Sequence, residues 1–268
     1  MKAPADEIDV PGAVQLERLL HLATEQAGYR PAFYRELLNS PVLVPVPPDP
    51  VVSNAAGEKV LRFLQWQRED GALVIPFFSS KARLRDSPPC ETPLLQLEAR
   101  QLFELSRGAE LHLNPHSEFG RSFSPDQVES ILNFGAPGVA AEMIDVKDGS
   151  LGIRPTSEKP ADLVDALIVY FSQQKHVQRA YFAELVDQNS GLPTRWLIGI
   201  EMLGDKDPAI TGIATIVQDL HRGDRPVDIL KLGDGKYSAS AYGLDAGDCF
   251  YDRSWGAYFV DGESDRPS

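Results

Sequence analysis

Residues 177–203 read VQRAYFAELVDQNSGLPTRWLIGIEML: two runs rich in apolar, β-branched and aromatic residues, Val177 to Val186 and Arg195 to Leu203, around the polar segment Asp187-Gln188-Asn189-Ser190-Gly191. Runs of this composition bounded by a turn-forming segment predict two long strands joined as an antiparallel hairpin. Upstream, Pro160 opens a helix along Leu163, Leu167, Phe171 and Gln174. Downstream, Asp207 as N-cap and Pro208 at the first helical position begin a second helix, with a stripe of Ile213, Ile216, Val217 and Leu220 that ends at Gly223. Val227–Lys231 and Tyr237–Tyr242 predict two further strands around the Asp234-Gly235 turn. The order α-β-β-α-β-β supplies one sheet with helices on one face.

The other half carries the same kind of alternation. Leu16, Leu19, Leu20, Ala23 and Ala27 form one helical stripe ending near Gly28, and a short helix after Pro31 presents Phe33, Tyr34, Leu37 and Leu38. Strands are expected at Val42–Val46, Val60–Trp66, Ala72–Phe78, Leu94–Leu97 and Leu111–Leu113, with Pro47 to Pro50 as a loop or edge. Helices are expected from Ser79 or Ser80 through Arg85, and from Glu98 to about Ser106. Ser124-Pro125-Asp126-Gln127 is the clearest helix start: Ser124 is the N-cap, Pro125 takes the first position and Gln127 completes a capping box. Phe123 can staple to Val128, and Gly135 ends the helix. Phe134-Gly135-Ala136-Pro137-Gly138 is rich in breakers and marks a domain boundary near residue 139. The expectation is an α+β protein of two domains, 1–139 and 140–268, each a mostly antiparallel or mixed sheet packed with helices.

Composition narrows the function classes. The 268 residues are 43% apolar and 24% charged, which fits a globular chain. The 26 Lys and Arg against 39 Asp and Glu leave a net charge of -13, and neither half is basic, so a nucleic-acid partner is not expected. A basic or otherwise complementary protein partner fits better. Cys90 and Cys249 are too few for a disulfide framework. The opening residues are acidic with no apolar run and no stretch approaches a membrane span, which predicts a cytoplasmic protein without a membrane contact.

Motifs for chemistry fall away one by one. His112 and His116, with Glu118, have i, i+4 spacing, but Pro115 breaks the helical face that a metal site would need, so no metal is predicted. Gly120-Arg121-Ser122-Phe123-Ser124 lacks the second glycine of a nucleophile elbow, and its last serine is explained as a cap. Gly233-Asp234-Gly235-Lys236 is followed by Tyr237 where a phosphate loop needs Ser or Thr. Asp245 to Asp252 lacks the register of a calcium loop and reads as a solvated acidic surface, and Cys249 has no neighbouring cation or base to activate it. No cofactor is predicted. Aromatic residues near loops remain: Phe77-Phe78 before Ser79, Phe119 beside Asn114-Pro115, and Trp255 with Tyr258-Phe259. Exposed, such residues anchor a protein partner.

Three stretches of the first half carry a resemblance: Arg30-Pro31-Ala32-Phe33-Tyr34-Arg35-Glu36-Leu37-Leu38, Ile75 to Leu84 (IPFFSSKARL) and Leu113-Asn114-Pro115. In the second half the matching features are Lys159-Pro160 opening a helix, Val177-Gln178-Arg179-Ala180-Tyr181, and Leu197-Ile198-Gly199-Ile200-Glu201. Together these resemble the N- and C-terminal domains of the SseB (enhanced serine sensitivity) family, from about Leu16 to Phe259. Ser79 departs from the pattern, which often has threonine there, and Pro45 to Pro50 is a local elaboration. The resemblance implies a soluble bacterial protein of two α+β domains without an assigned catalytic activity. The expected function is a non-enzymatic, cytosolic protein-binding or regulatory one, with the loops 77–83 and 114–119 as the contact site. Its candidate residues are Phe77, Ser79, Arg83, Asn114 and Phe119. The alternatives are a small-molecule sensor or enzyme of serine and sulfur metabolism, and an immunity-like inhibitor of a toxin.

Overall fold

The computed structural model describes residues 10–53, 57–68, 70–87, 92–135, 151–156, 158–187, 194–204, 207–221, 225–233, 235 and 238–255. The chain divides into two units, residues 1–25 with 29–138 and residues 26–28 with 139–268. The expected boundary near 139, the Asp187–Gly191 turn beyond Asp187, and Cys90, Tyr258 and Phe259 lie outside the described residues. Among the described residues no helix is long and apolar enough to cross a membrane.

In the first unit α1 (Ala13–Glu25) and α2 (Arg30–Leu38) bury Leu16, Leu20, Ala23, Phe33, Tyr34, Leu37 and Leu38 in one core. Beneath them β5 (Leu73–Phe77) and β7 (Glu110–Leu113) run parallel, flanked by β4 (Trp66–Gln67) and β8 (Arg121–Phe123) in the order β4-β5-β7-β8. A parallel pair needs a crossover. It is supplied by α3 (Lys81–Arg85), β6 (Leu94–Glu98) and α4 (Ala99–Leu105). β1 (Pro41–Pro45) pairs antiparallel with β6, and a bridge between Leu43 and Phe78 ties β1 to the end of β5. A small hairpin, β2 (Val51–Ser53) with β3 (Lys59–Leu61), completes the sheets of this unit among the described residues.

The capping box of α5 (Pro125–Phe134) forms as the sequence predicts: Ser124 Oγ accepts the Gln127 N–H, and the Ser124 N–H donates to Gln127 Oε1. Gly135 closes the helix in the left-handed region at φ 73°. Two expectations need correction. The predicted strand Val60–Trp66 is interrupted, because residues 62–65 leave the β3 ladder before β4 begins. Residues 121–123, where no strand was expected, form one: β8 pairs with β7 and buries Phe123.

In the second unit β10 (Val177–Asp187) and β11 (Arg195–Met202) are the antiparallel pair at the centre of the sheet. β12 (Val227–Leu232) lies parallel to β11, and β9 (Leu151–Pro155) and β13 (Cys249–Asp252) share the other edge of β10. Helices α6 (Ala161–Gln173) and α7 (Asp207–Leu220) cover one face, where Leu163, Leu167, Phe171, Ile213 and Ile216 meet Ala180, Phe182, Ile198, Ile200 and Ile229. Gly212 lets the helices approach, since a Cβ there would collide with the Tyr170 ring and hydroxyl. Two readings are overturned here. Residues 240–242 form a 3-10 turn closed by Gly243 at φ 74° instead of a strand from Tyr237 to Tyr242, because the Ser238 hydroxyl takes the Ala241 N–H and so competes with a ladder. The end of the acidic segment is no solvated surface: β13 joins the sheet and buries Phe250 and Tyr251, with Asp248 buried beside them.

Candidate functional site

β5 and β7 end side by side, so the chain that leaves each one emerges at the same carboxyl edge, and loops there are held by the strands below them. After β5 come Phe78, Ser79 and Ser80, and Ser80 caps α3 by accepting the Arg83 N–H at 3.2 Å. After β7 the chain turns sharply: Asn114 and His116 take positive φ values of 49° and 67°, a conformation that asparagine tolerates better than most residues. Gly120 passes so close that a Cβ would lie 2.9 Å from the Asn114 carbonyl oxygen.

Asn114 locks the two loops together. Its N–H donates to the Phe77 carbonyl (2.8 Å), its Oδ1 accepts the Ser79 N–H (2.9 Å), and its Nδ2 donates to Ser79 Oγ (3.0 Å). The single hydroxyl proton of Ser79 then goes to Glu17 Oε1 at 2.7 Å, where the Ser80 hydroxyl also donates at 2.8 Å. Arg83 grips the other carboxylate oxygen of Glu17 through Nε and Nη2, both at 3.0 Å, and reaches Asp86 at 3.3 Å. The Glu17 carboxylate joins α1 to the β5–α3 junction, and Asn114 ties the β7 loop to the same junction through Ser79.

Four of the five candidate residues therefore meet around one hub, although one of the four does so only through its backbone. Phe77 is fully buried against Phe103 and Phe123, so its side chain is a core residue and not the surface anchor expected from sequence. Phe78 is buried too, on the Leu43 side. Ser79 and Asn114 are buried and bonded to each other, and Arg83 is partly exposed. Phe119 stands beside this hub, half-buried, with its ring 4.4 Å from that of His21. Glu17 is the residue that sequence reasoning missed. Its position one place beyond the buried Leu16 put it on the flank of the apolar stripe, and only the fold brings it to Ser79.

A pocket of about 440 Å³ adjoins the β7 loop, lined by Trp66, Arg68, Asp70, Val74, His112 and His116 among others. Arg68 bonds to Asp70 and to Glu110, so the guanidinium that lines this pocket is already paired. Burial, reinforced by the Arg68 charge, holds the His112 imidazole below its ordinary pKa, which leaves it neutral at pH 7. His112 is thus a half-buried residue of β7, the strand expected around Leu111–Leu113. Among the described residues no group of three or more His, Cys, Asp or Glu side chains is disposed to hold a metal.

The second unit has an open groove of about 890 Å³ between Arg179, Glu201, Leu203, Leu232, Asp252 and Arg253. Its charges are matched internally: Arg179 lies 3.2 Å from Glu201 and 3.8 Å from Asp252. Cys249, near one end, is partly buried, and burial pushes its thiol pKa up, away from a reactive thiolate. Trp255 stands 47% exposed at the same end.

Comparison with known proteins fits this two-unit architecture. Residues 16–130 match the model of the SseB protein N-terminal domain, and residues 146–253 match that of the SseB protein C-terminal domain. The chain is 31% identical over 255 residues to Protein SseB of Escherichia coli (strain K12), covering 94% of this chain and 97% of that protein. Protein SseB of Shigella flexneri matches with the same identity and coverage. No solved structure gives a significant match. With both domain models matched in order and a relative aligned along nearly its whole length, the chain belongs to the SseB family.

Proposed function

We propose that the protein acts by binding another protein without performing catalysis, and that the contact is made by the loops at the carboxyl ends of β5 and β7. The observation that carries this reading is the Glu17 hub. A triad-type nucleophile needs its hydroxyl to face an imidazole that an acid orients behind it. Here both serine hydroxyls donate to one oxygen of a carboxylate whose other oxygen is held by Arg83. That geometry fixes loops, and fixed loops present a pre-organised surface at small entropic cost. The rim beyond the hub carries the partly exposed Phe119 and the exposed His116 and Glu118. In a chain of net charge -13, a partner with a basic face is favoured by long-range attraction.

The test compares wild type with a Glu118→Lys, Phe119→Ala variant, both purified from cytosol at native-level expression, with mass spectrometry against a charge-matched control protein. The reading expects one stoichiometric partner that is released by salt and is missing from the variant, while the melting temperature changes little. Recovery of the wild-type protein alone would overturn it. A second reading, sensing of a small molecule, draws on the 440 Å³ pocket beside Trp66 and His112. A ligand that binds only the folded state raises its apparent stability, so a thermal-shift screen of serine, cysteine and small keto acids tests that reading.

A further inference from the structure

On the face of the second sheet that α6 and α7 leave uncovered lies a cavity of about 440 Å³, bordered by Ala239 and Ser240 at the start of the 3-10 turn. A row of three charged residues crosses it. Arg179 of β10 is the register partner of both Glu201 on β11 and Asp252 on β13. Register partners point to the same side of a sheet, so one guanidinium stands between two carboxylates. The pairing is lopsided. Glu201 is fully engaged: its Oε2 lies 3.2 Å from Arg179 Nε, and its Oε1 accepts the Tyr181 hydroxyl at 3.2 Å. Asp252 Oδ1 accepts the N–H and the hydroxyl of Ser254, but Oδ2 stands 3.8 Å from Arg179 Nε, beyond hydrogen-bond reach. On Arg179, Nη1 donates to the Tyr181 oxygen at 3.3 Å and both carboxylates lie nearest Nε, which leaves Nη2 without a hydrogen bond among the described residues. An open donor and an open acceptor of opposite charge are thus fixed side by side at the cavity wall.

The rest of the lining defines what fits. Asp245 adds a third carboxylate, whose Oδ1 accepts the Gly247 N–H and whose Oδ2 makes no hydrogen bond among the described residues. One guanidinium against three carboxylates disfavours a simple anion, and a ligand that is only a cation meets the like charge of Arg179. Beside these charges the wall is apolar, formed by Ala239, Leu244 and the exposed Trp255. A cavity of this size suits a small molecule held by a few placed polar groups. We infer that it binds a free α-amino acid with an apolar side chain. The ligand's carboxylate pairs with Arg179 Nη2, its ammonium pairs with Asp252 Oδ2 and Asp245, and its side chain lies against Leu244 and Trp255. Both pairings are charge-assisted, and each is lost when the ligand lacks the group that makes it.

Calorimetric titration of the full chain with L-leucine tests the inference, beside isoamylamine, which lacks the carboxylate, and isocaproate, which lacks the ammonium. L-Leucine is expected to bind, and each analogue to bind about tenfold more weakly, the worth of one charge-assisted bond. Arg179 is half exposed, so Arg179→Gln is expected to keep the circular dichroism of the wild type. That variant is expected to bind L-leucine no better than isoamylamine, because the group that distinguishes them is gone. Asp252→Asn, whose remaining oxygen still accepts from Ser254, is expected to weaken L-leucine and leave isocaproate unchanged. Three results each overturn the inference: no binding of L-leucine at millimolar concentration, wild-type affinity for isoamylamine equal to that for L-leucine, or unchanged L-leucine affinity in folded Arg179→Gln. A ligand in the pocket beside Trp66 and His112, or a protein held at the β5 and β7 loops, is indifferent to both substitutions, so this inference and the readings above fail separately.

Discussion

Glu17 in the first unit and Glu184 in the second are both carboxylates held by arginine and a hydroxyl, yet they serve different ends. Glu184 lies on the central strand β10 with its side chain 9% exposed, and it accepts from Arg154 at 2.7 Å, Arg225 at 3.0 Å and Thr156 at 3.3 Å. Arg154 belongs to the neighbouring β9, whose residue Arg154 is the register partner of Glu184. That carboxylate staples strands that already pair. Glu17, more exposed, reaches Ser79, Ser80 and Arg83, whose own backbones do not pair with its helix. The lesson is that the same chemistry reinforces a sheet in one unit and positions loops in the other, and loops so positioned are where binding surfaces are built.

The largest expected effect separates core from rim. Phe77→Ala should cost the first unit about 3–5 kcal/mol, measured by denaturant unfolding, because a ring packed in a closed core leaves a cavity. A combined substitution of Phe77, Arg83 and Phe119 would thus unfold the site instead of probing its surface. Next, Gly212→Val drives a side chain into Tyr170 and should cost the second unit about 1–3 kcal/mol, with α1 and α2 unaffected in hydrogen exchange.

The two carboxylates themselves give a narrower contrast. Glu184→Ala strands two arginines that are partly solvated, and a loss of about 1–3 kcal/mol in the second unit is expected. Glu17→Ala leaves two hydroxyls and a guanidinium without their acceptor, at about 1–2 kcal/mol. Only the Glu17 variant should also weaken binding at the loops, which a pull-down of the co-purified partner reads directly. Equal loss of binding in both variants would erase the distinction.

Acidification yields the smallest and most selective difference. Burial, with Arg68, lowers the His112 pKa from its ordinary 6.5, so the folded state resists protonation and its contribution is present above that value and lost as pH falls below it. For Glu184, burial alone would raise the pKa. The bond and charge of Arg154, with Arg225 and Thr156, outweigh that and lower it below the ordinary 4.5. Its contribution is likewise present above that value and is lost only as pH falls through the depressed pKa. Thermal unfolding followed from pH 8 to pH 3 should weaken the first unit before the second, and His112→Gln should remove the first step. Simultaneous weakening would show that neither group governs its unit.

Much of this was legible along the chain. The α5 cap could be read because its partners, Ser124 and Gln127, are three residues apart and bond within one turn. The β10 and β11 runs could be read because their length and composition leave few other structures. β8 and β13 escaped because each is three or four residues long and earns strand geometry only from a neighbour, β7 or β10. The Pro-rich loop hid β2, which pairs with β3 across three residues. At the site, Ser79, Arg83 and Asn114 could be marked from strand ends and polar composition. Phe77 was misjudged because its place in the strand, not its closeness to a loop, decides where its ring points.

The sequence by itself determined the helical stripes, the capping box, the two-domain α+β class and the family, since these rest on short-range periodicity, local hydrogen bonds and motifs that survive in order. Tertiary structure alone decided which side chains share a site. Glu17 and Ser79 stand 62 residues apart and meet only because α1 packs over the carboxyl ends of β5 and β7. It also decided which strands pair with which, because pairing is a relation between distant segments that no window of sequence states.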